Sequence, residues 1–229
     1  MGNRVSYNNL GLIDYKEAWE YQEELLQDVV NNKLNNSNNG DYLQHLLFCQ
    51  HPNVYTLGKS GTENNLLINE DFLNKINARY YKINRGGDIT YHGPGQLVVY
   101  PIFDLDKFGI GVKDYIVKLE QAVINLLMNF NIQAGRLQNA TGVWLDPESE
   151  NISRKICAIG VRISRSVTMH GLAFNINTDL SYYNYINPCG FTDKSVSSME
   201  KELGETQNYQ LIEEKLLQEF RNIFNLDIV

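Results

Sequence analysis

Apolar residues recur at helical spacing most clearly over residues 112–130. In this segment apolar positions lie three or four residues apart, which is the period that places side chains on one face of an α-helix. We therefore predict a helix here with one buried face. The residues on that face are Val112, Ile116, Leu119, Val123, Leu127 and Phe130.

Two further segments, residues 15–33 and the C-terminus from about residue 209, show the same period less completely. Asp14, followed three residues later by Glu17, resembles a capping box and indicates where the first of these helices begins. The predicted inner faces consist of Ala18, Tyr21, Leu25 and Val29 in the first helix and of Leu211, Leu216, Phe220 and Ile223 in the second.

Shorter apolar runs between these helices predict β-strands, with one further short helix over residues 71–77. Because the strands come in clusters interrupted by a few helices, we predict an α+β fold in which sheet is packed by helices. The length favours a single domain over residues 1–229. The predicted strands cover residues 3–10, 42–49, 80–84, 97–102, 132–138, 142–145, 155–163 and 167–176.

The charge and composition argue against several classes of function. The formal net charge is −7, whereas generic nucleic-acid binding relies on a positive surface. No apolar run approaches the ~18 residues that cross a bilayer, and the N-terminus lacks the apolar segment of a signal peptide. We therefore expect a cytoplasmic protein that binds neither nucleic acid nor membrane.

The cysteines give a similar indication. The chain has three, Cys49, Cys157 and Cys189, with no CxxC spacing. Such a sparse, odd set is typical of reduced, intracellular proteins. Although Cys49 is followed closely by His51, no second ligand pair accompanies them, so we expect no metal site.

The most informative segment is the loop RGGDITYHGPGQ, from Arg85 to Gln96. Its four glycines allow the backbone to turn sharply and to approach a ligand closely. The apolar strand predicted over residues 97–102 anchors it. A structural turn would also explain the glycines, but it would not require Arg85 and His92 beside them. We therefore interpret this segment as a substrate-binding loop.

A second glycine-containing segment, Gly58-Lys59-Ser60, matches the end of a phosphate-binding loop. The glycine that this motif requires five positions earlier is replaced by Asn53. No other phosphate-loop or dinucleotide-binding motif is present in the sequence. We therefore expect no nucleotide cofactor.

Two cysteines differ in their predicted surroundings. Cys157 lies two residues after Lys155 in a predicted strand, so their side chains share one face. This places a thiol near an amine, but a free cysteine in a strand is more often a small buried hydrophobe. Cys189 lies between a proline and a glycine, in a turn, where a thiol is more accessible.

Other polar residues beside the glycine segments complete a set of reactive groups. His170 belongs to a second histidine–glycine pair, and each histidine taken singly is as typical of a structural role as of a functional one. A cysteine, Lys155, two histidines and Arg85 together indicate acyl transfer through a cysteine.

The order of these motifs resembles the octanoyl-[acyl-carrier-protein]:protein octanoyltransferase family, also called the lipoyl(octanoyl) transferases. The resemblance runs from about residue 10 to residue 200, and its RGG–THGPGQ and PCG elements are the most specific. Cys157 departs from the pattern, in which alanine is typical at this position. The matching residues are His51-Pro52, Tyr55-Thr56-Leu57-Gly58, Arg85-Gly86-Gly87, Thr90 to Gln96, Gly142-Val143-Trp144, Lys155-Ile156, Ala158-Ile159-Gly160, His170 to Ala173, Asn175 and Pro188-Cys189-Gly190.

The resemblance implies a fold related to lipoate- and biotin-protein ligases, with mixed or antiparallel sheets packed by helices. It implies transfer of an octanoyl or lipoyl group from acyl carrier protein to a lysine of the lipoyl domains of 2-oxoacid dehydrogenases and of the glycine cleavage H protein. Carried over by position, Cys189 forms the acyl-thioester and Lys155 tunes it. The residues implied to line the acyl site are Arg85, Gly86, Gly87, Asp88, Ile89, Thr90, Tyr91, His92, Ala158, Ile159, Gly160, His170, Gly171, Leu172 and Ala173.

Two alternatives remain open. An ATP-dependent lipoate–protein ligase would share the fold and modify the same lysine, but it would need nucleotide contacts and no essential cysteine. A non-catalytic module that binds lipoyl domains or acyl carrier protein would need neither Lys155 nor Cys189, so the presence of both favours the transferase.

Overall fold

The computed structural model of the protein describes residues 3–35, 42–149, 151–187 and 195–229. Within these ranges helices and strands alternate irregularly, and two short 3₁₀ helices, Glu63–Asn65 and Leu180–Tyr185, lie between them. The elements are β1 (Asn3–Leu12), α1 (Tyr15–Leu34), β2 (Gln44–Gln50), β3 (Val54–Leu57), α2 (Glu70–Lys75), β4 (Arg79–Lys82), β5 (Ile89–His92), β6 (Gln96–Ile102), α3 (Leu105–Phe108), α4 (Val112–Met128), β7 (Ala134–Leu137), β8 (Ala140–Leu145), β9 (Arg154–Ser164), β10 (Val167–Asn175), β11 (Ser195–Val196), α5 (Met199–Leu203), α6 (Tyr209–Phe224) and β12 (Leu226–Ile228).

Within the described residues the strands form two mixed sheets. The large sheet has nine strands in the order β12-β1-β2-β6-β10-β9-β8-β7, with β11 paired to β9. β1 runs parallel to both of its neighbours. Along the rest of the path, β2-β6-β10-β9-β8-β7, each strand is antiparallel to the next. The small sheet has the order β4-β3-β5. Mixed sheets packed by helices confirm the predicted α+β fold.

Helices cover both faces of the large sheet. On one face α4 contributes Leu119 and Leu127 to the core, and α6 contributes Phe220. On the other face α1 contributes Leu26 and Val29. No helix in the described part of the chain is long and apolar enough to cross a membrane.

The first helix begins at a well-defined cap. One carboxylate oxygen of Asp14 accepts the backbone N–H of Lys16 at 2.9 Å, and Arg79 donates to the other at 2.6 Å. A carboxylate is favourable here because the first N–H groups of a helix lack partners within the helix and carry partial positive charge. The cap fixes where Tyr15, the first residue of α1, enters the core, and that side chain is only 3% exposed.

The predicted helices and strands are all present, with ends shifted by a few residues. Four short strands, β3, β5, β11 and β12, and two short helices, α3 and α5, were not predicted, and β5 lies inside the segment interpreted as a loop. Elements of two to five residues carry too few positions to show a period.

Two predicted core positions are wrong. Val112 is 49% exposed, because Tyr115 fills the core at that end of α4. Leu211 is 42% exposed, whereas the adjacent Ile212 is 1% exposed. Adjacent residues on a helix point about 100° apart, so only one of the two faces the sheet.

We expect truncation of Phe220 to destabilise the protein strongly. This ring is fully buried and packs against Phe48 and Phe224, with ring centroids 6.1 Å and 5.6 Å away. Phe220→Ala should lower the free energy of unfolding by about 3–5 kcal/mol. Leu211→Ala, in the same helix but exposed, should change it by less than about 0.5 kcal/mol. Urea titration of both variants checks this, and equal losses would contradict the observed orientation of α6.

Candidate active site

A cavity of about 440 Å³ lies between the large sheet and the small sheet. Strands β8, β9 and β10 form one side, and β5 with the loop after Arg85 forms the other. This volume lies within the range of about 300–1,000 Å³ that is usual for small-molecule sites. The described residues that line it are Tyr15, Ser60, Arg85, Gly87, Asp88, Ile89, Thr90, His92, Val98, Tyr100, Asn139, Ala140, Thr141, Trp144, Lys155, Ala158, Ile159, Gly160, His170, Gly171, Leu172, Ala173, Asn175, Tyr183, Ser195 and Val196.

Two glycines permit the close packing that encloses this cavity. A Cβ atom on Gly160 would lie 2.8 Å from the carbonyl oxygen of Gly86 and 3.1 Å from Cδ of Arg85. On Gly171 it would lie 2.1 Å from the carbonyl oxygen of Val99. Any larger side chain would therefore push the Arg85 loop away from β9 at the first position and separate β10 from β6 at the second.

The Arg85 side chain ties its loop to the small sheet. It is 7% exposed, and its Nη2 donates to the carbonyl oxygen and the hydroxyl of Thr56 at 2.6 Å and 2.9 Å. Nη1 donates to the carbonyl oxygen of Gly86 at 3.0 Å. The backbone N–H of Gly86 in turn donates to Val161 of β9 at 2.9 Å. Arg85 therefore holds the two sheets in register across the cavity as well as lining it.

Buried histidines cluster at the end of the cavity where Arg85 lies, and the groups to which they hydrogen-bond fix their tautomers. His51 Nδ1 donates to the carbonyl oxygen of Ile13 at 2.8 Å, because a carbonyl can only accept. His51 Nε2 then accepts the hydroxyl of Tyr100 at 2.7 Å. His92 Nδ1 donates to Oε1 of Gln96 at 2.8 Å. Each ring thus carries one donor and one acceptor nitrogen.

His170 is held in an unusual backbone conformation. Its φ of 57° lies in the left-handed region, which costs a non-glycine residue about 1–3 kcal/mol. The side-chain oxygen of Gln22, on α1, accepts the backbone N–H of His170 at 2.9 Å. The ring donates from Nε2 to Asn84 at 3.1 Å, and its Nδ1 has no hydrogen-bond partner among the described residues. Helix α1 therefore positions this ring beside the cavity.

Burial keeps these histidines neutral at physiological pH. It lowers the pKa of His51 to about 4, and it lowers the pKa of His170 to about 3 with a further contribution from Arg85. Burial and the neighbouring His51 hold the pKa of His92 well below its ordinary value. The histidine end of the cavity therefore presents uncharged rings.

Lys155 lies away from this cluster, five residues before Gly160 on β9. Its Nζ is 4.7 Å from the centroid of the Trp144 ring, within the usual distance of a cation–π contact. The indole is 2% exposed, and its N–H donates to the carbonyl oxygen of Ala140 at 2.7 Å. A Cβ atom on Gly142 would come within 3.4 Å of Lys155 Cε. The Trp144 ring and the absence of a side chain at Gly142 therefore define where the Lys155 ammonium group lies.

The two cysteines that the structure describes are both buried in the core. Cys49 and Cys157 are free and buried, and burial raises the pKa of both thiols. Both therefore remain protonated, and Cys157 behaves as the small hydrophobe that its strand favoured. Cys189, the predicted nucleophile, lies outside the described residues. The described ranges also contain no cluster of three or more His, Cys, Asp or Glu side chains that could hold a metal ion.

The cavity brings together most of the residues that the resemblance implied. Among the implied residues that the structure describes, Gly86 and Tyr91 do not line it. The Tyr91 ring instead stacks on Tyr182, with centroids 4.8 Å apart, in the core of the small sheet. The implied residues that do line the cavity are Arg85, Gly87, Asp88, Ile89, Thr90, His92, Lys155, Ala158, Ile159, Gly160, His170, Gly171, Leu172 and Ala173.

Several wall residues were not predicted. Trp144 and Asn175 lay within the motifs of the resemblance, so that signal was present but was not assigned to the site. Gln96 also lay within these motifs. It lies behind the wall, where its Nε2 donates to Oδ1 of Asn175 at 2.9 Å and its Oε1 accepts from the His92 ring at 2.8 Å. Tyr15 carried no signal, because it is far from the other residues in sequence and reaches the cavity only through the packing of α1.

Comparisons with known proteins agree with this geometry. The model of the lipoyl protein ligase A/B catalytic domain matches residues 14–221. An octanoyltransferase from Bacteroides fragilis is 53% identical over 205 residues, covering 90% of this chain and 91% of that protein. An octanoyltransferase from Christiangramia forsetii is 49% identical over 232 residues, covering 100% of this chain and 99% of that protein.

Solved structures show the same fold at much lower identity. Lipoate-protein ligase A crystallised with ATP is 14% identical, with a TM-score of 0.69 over 100% of this chain and 88% of that one. A bipartite lipoate protein ligase from Thermoplasma acidophilum is 14% identical, with a TM-score of 0.70 over 100% and 85%. The family match and the close relatives go further than the fold: the chain belongs to the lipoyl protein ligase A/B catalytic-domain family and, within it, to the octanoyltransferases, which are acyltransferases.

Proposed function

We propose that the protein transfers an octanoyl group from the thioester of acyl carrier protein to a specific lysine of lipoyl domains, including those of 2-oxoacid dehydrogenases and the glycine cleavage H protein. The observation that carries this proposal is the placement of Lys155. Its ammonium group lies over Trp144 at one end of a cavity enclosed by the two sheets. The relatives named octanoyltransferases support the identity of the acyl group.

The cavity wall suits an alkyl chain. It carries the apolar side chains of Ile89, Val98, Ile159, Leu172 and Ala173. Burying one methylene group gains about 0.8 kcal/mol, so an eight-carbon chain can contribute several kcal/mol to binding. This binding free energy can hold the thioester carbonyl at the end of the cavity where Lys155 lies.

In the proposed first step, the thiolate of Cys189 attacks the carbonyl carbon of the incoming thioester. A new C–S bond forms, the bond to the carrier's sulfur breaks, and the carrier leaves as a thiolate that takes up a proton from the Lys155 ammonium group, which leaves Lys155 neutral for the second step. A free cysteine with a pKa near 8.5 is only a few per cent thiolate at neutral pH. A positively charged Lys155 nearby favours the thiolate, by about 1.4 kcal/mol for each unit by which the cysteine pKa falls.

In the proposed second step, the amino group of the acceptor lysine attacks the acyl-cysteine. The amide bond forms as the C–S bond to Cys189 breaks, and neutral Lys155 accepts the proton that the attacking amine must lose. Because the thioester already carries the free energy for amide formation, the reaction requires no ATP. An ATP-dependent lipoate ligase would instead be inactive with an acyl thioester alone.

We expect Cys189 to carry the acyl group. After mixing with octanoyl-acyl carrier protein in the absence of ATP, peptide mass analysis should place one octanoyl adduct on Cys189. Cys189→Ala should abolish both the adduct and transfer to a lipoyl domain. Cys157→Ala is the matched control and should retain both, because that thiol is fully buried. An adduct on Cys157, or turnover only when ATP and free octanoate are supplied, would contradict the proposal.

We expect Lys155→Ala to reduce transfer by about 10²–10⁴-fold, the usual contribution of a general acid or base. Lys155→Arg should separate the two proposed roles, because arginine keeps the charge but cannot be deprotonated in proteins. It should form the acyl-enzyme more readily than the alanine variant and still fail to complete transfer. Lys82→Ala, at a lysine on the exposed surface, serves as the control and should behave as wild type. Near wild-type transfer in Lys155→Ala would remove Lys155 from the mechanism.

We expect the stability of the protein to fall as the pH drops from 7 to 5. The pKa values of His51, His92 and His170 are lowered by folding, so below about pH 6.5 the unfolded chain binds more protons than the folded one. Each such histidine contributes up to about 1.4 kcal/mol per pH unit, and stability is lost toward the acid side. Urea unfolding at several pH values measures this slope. His51→Gln should flatten it, whereas His45→Gln, at a partly buried histidine, should alter it less.

A further inference from the structure

A second cavity of about 350 Å³ lies next to the first. It opens between the start of α1, the loop before β3, and the segment from α2 to β4. Its walls are half polar, and Tyr15 is a wall residue of both cavities. The described residues that line it are Asp14, Tyr15, Pro52, Asn53, Val54, Asn74, Asn77, Ala78, Arg79 and Tyr81.

The Tyr15 ring lies in a stack of aromatic rings that leads from one cavity to the other. It stacks on His92, a wall residue of the first cavity, with centroids 5.8 Å apart and planes 14° apart. It also stacks on Tyr81, a wall residue of the second cavity, with centroids 5.7 Å apart and planes 24° apart. His51 packs edge-on against it at 5.2 Å. The Tyr15 side chain is therefore the partition between the two spaces.

This partition lies at the end of the first cavity that is remote from Lys155. Tyr15 stacks on His92, and His92 approaches Thr56, which is held by Arg85. The Arg85 side chain packs against β9 at Gly160, where a Cβ atom would lie 3.1 Å from Arg85 Cδ. Lys155 lies five residues earlier on β9, roughly 16 Å away at 3.3 Å per residue.

Because the acyl carbonyl lies beside Lys155 in the proposed function, the chain must extend toward the opposite end of the cavity. Resting on that function, we propose that the Tyr15 ring is the end stop of the acyl cavity and the residue that limits the length of the acyl chain. A chain longer than the cavity would have to displace a ring that is packed between His92 and Tyr81. Removing the ring would join the two cavities and give such a chain a path into the second one.

The test compares chain lengths within each variant. Transfer from octanoyl-, decanoyl- and dodecanoyl-acyl carrier protein to a lipoyl domain is measured as kcat/KM for the full-length enzyme. In Tyr15→Ala the ratio of dodecanoyl to octanoyl transfer should rise at least about tenfold above wild type. Each additional buried methylene contributes about fourfold, equivalent to about 0.8 kcal/mol, so even partial burial of four methylenes would suffice. Tyr15→Leu should give a smaller rise, and it decides the question if the alanine variant does not fold.

Two control variants separate this role from a general loss of packing. Tyr15→Phe keeps the ring and should retain the wild-type ratio. Asn74→Ala enlarges the second cavity at a wall residue outside the aromatic stack and leaves the partition in place, so its ratio should also stay within about twofold of wild type. Ratios do not depend on the fraction of active enzyme, so a destabilised preparation still reports chain preference.

The outcomes distinguish this inference from the proposed function. Normal octanoyl transfer by wild type, with an unchanged ratio in both Tyr15→Ala and Tyr15→Leu, would overturn the chain-length role and leave the transferase standing. An equal rise in Asn74→Ala would also overturn it, because the size of the second cavity, and not the Tyr15 ring, would then set the ratio. A wild-type enzyme that transfers no octanoyl group would overturn the proposed function, and the inference with it.

Discussion

The close approach of the Arg85 loop to β9 is the constraint on which the cavity depends. At Gly160 the loop backbone and the arginine side chain occupy space that any Cβ atom would fill. From there the guanidinium group reaches across to Thr56 of the small sheet. One side chain and one missing Cβ thus hold the two sheets at a distance that leaves room for a small molecule, and the other wall residues take their positions from that separation.

The three buried histidines near Arg85 are arranged so that none of them needs to be charged. His51, His92 and His170 each have a nitrogen committed as a donor to a fixed acceptor, and burial lowers the pKa of all three. Neutral rings have flat faces that can contact an apolar chain, whereas imidazolium rings would have to be solvated or paired. The cluster therefore closes the cavity without filling it with charge.

The other end has the opposite character. Lys155 contributes an ammonium group, and Trp144 supplies a buried aromatic face over which that group lies. In the proposed function this amine favours the thiolate when it is charged and accepts a proton when it is neutral. The Lys155 amine and the uncharged histidine rings therefore lie at different places along the cavity, which gives the cavity a direction.

The sequence by itself determined the α+β class and the principal helices and strands, and the family resemblance carried by its ordered motifs implied many residues of the cavity wall. These features are local, because a helical period or a glycine segment is written in consecutive residues. It could not show that Tyr91 turns away into the small sheet, that Leu211 faces solvent, or that β5 is a strand, because each depends on what packs against it. Tyr15 is the clearest case. Only the tertiary structure, which packs the start of α1 against His92 and Tyr81, decided that this residue lies between two cavities. Contacts between residues that are distant in sequence leave no periodic pattern in either segment, so the sequence could not show them.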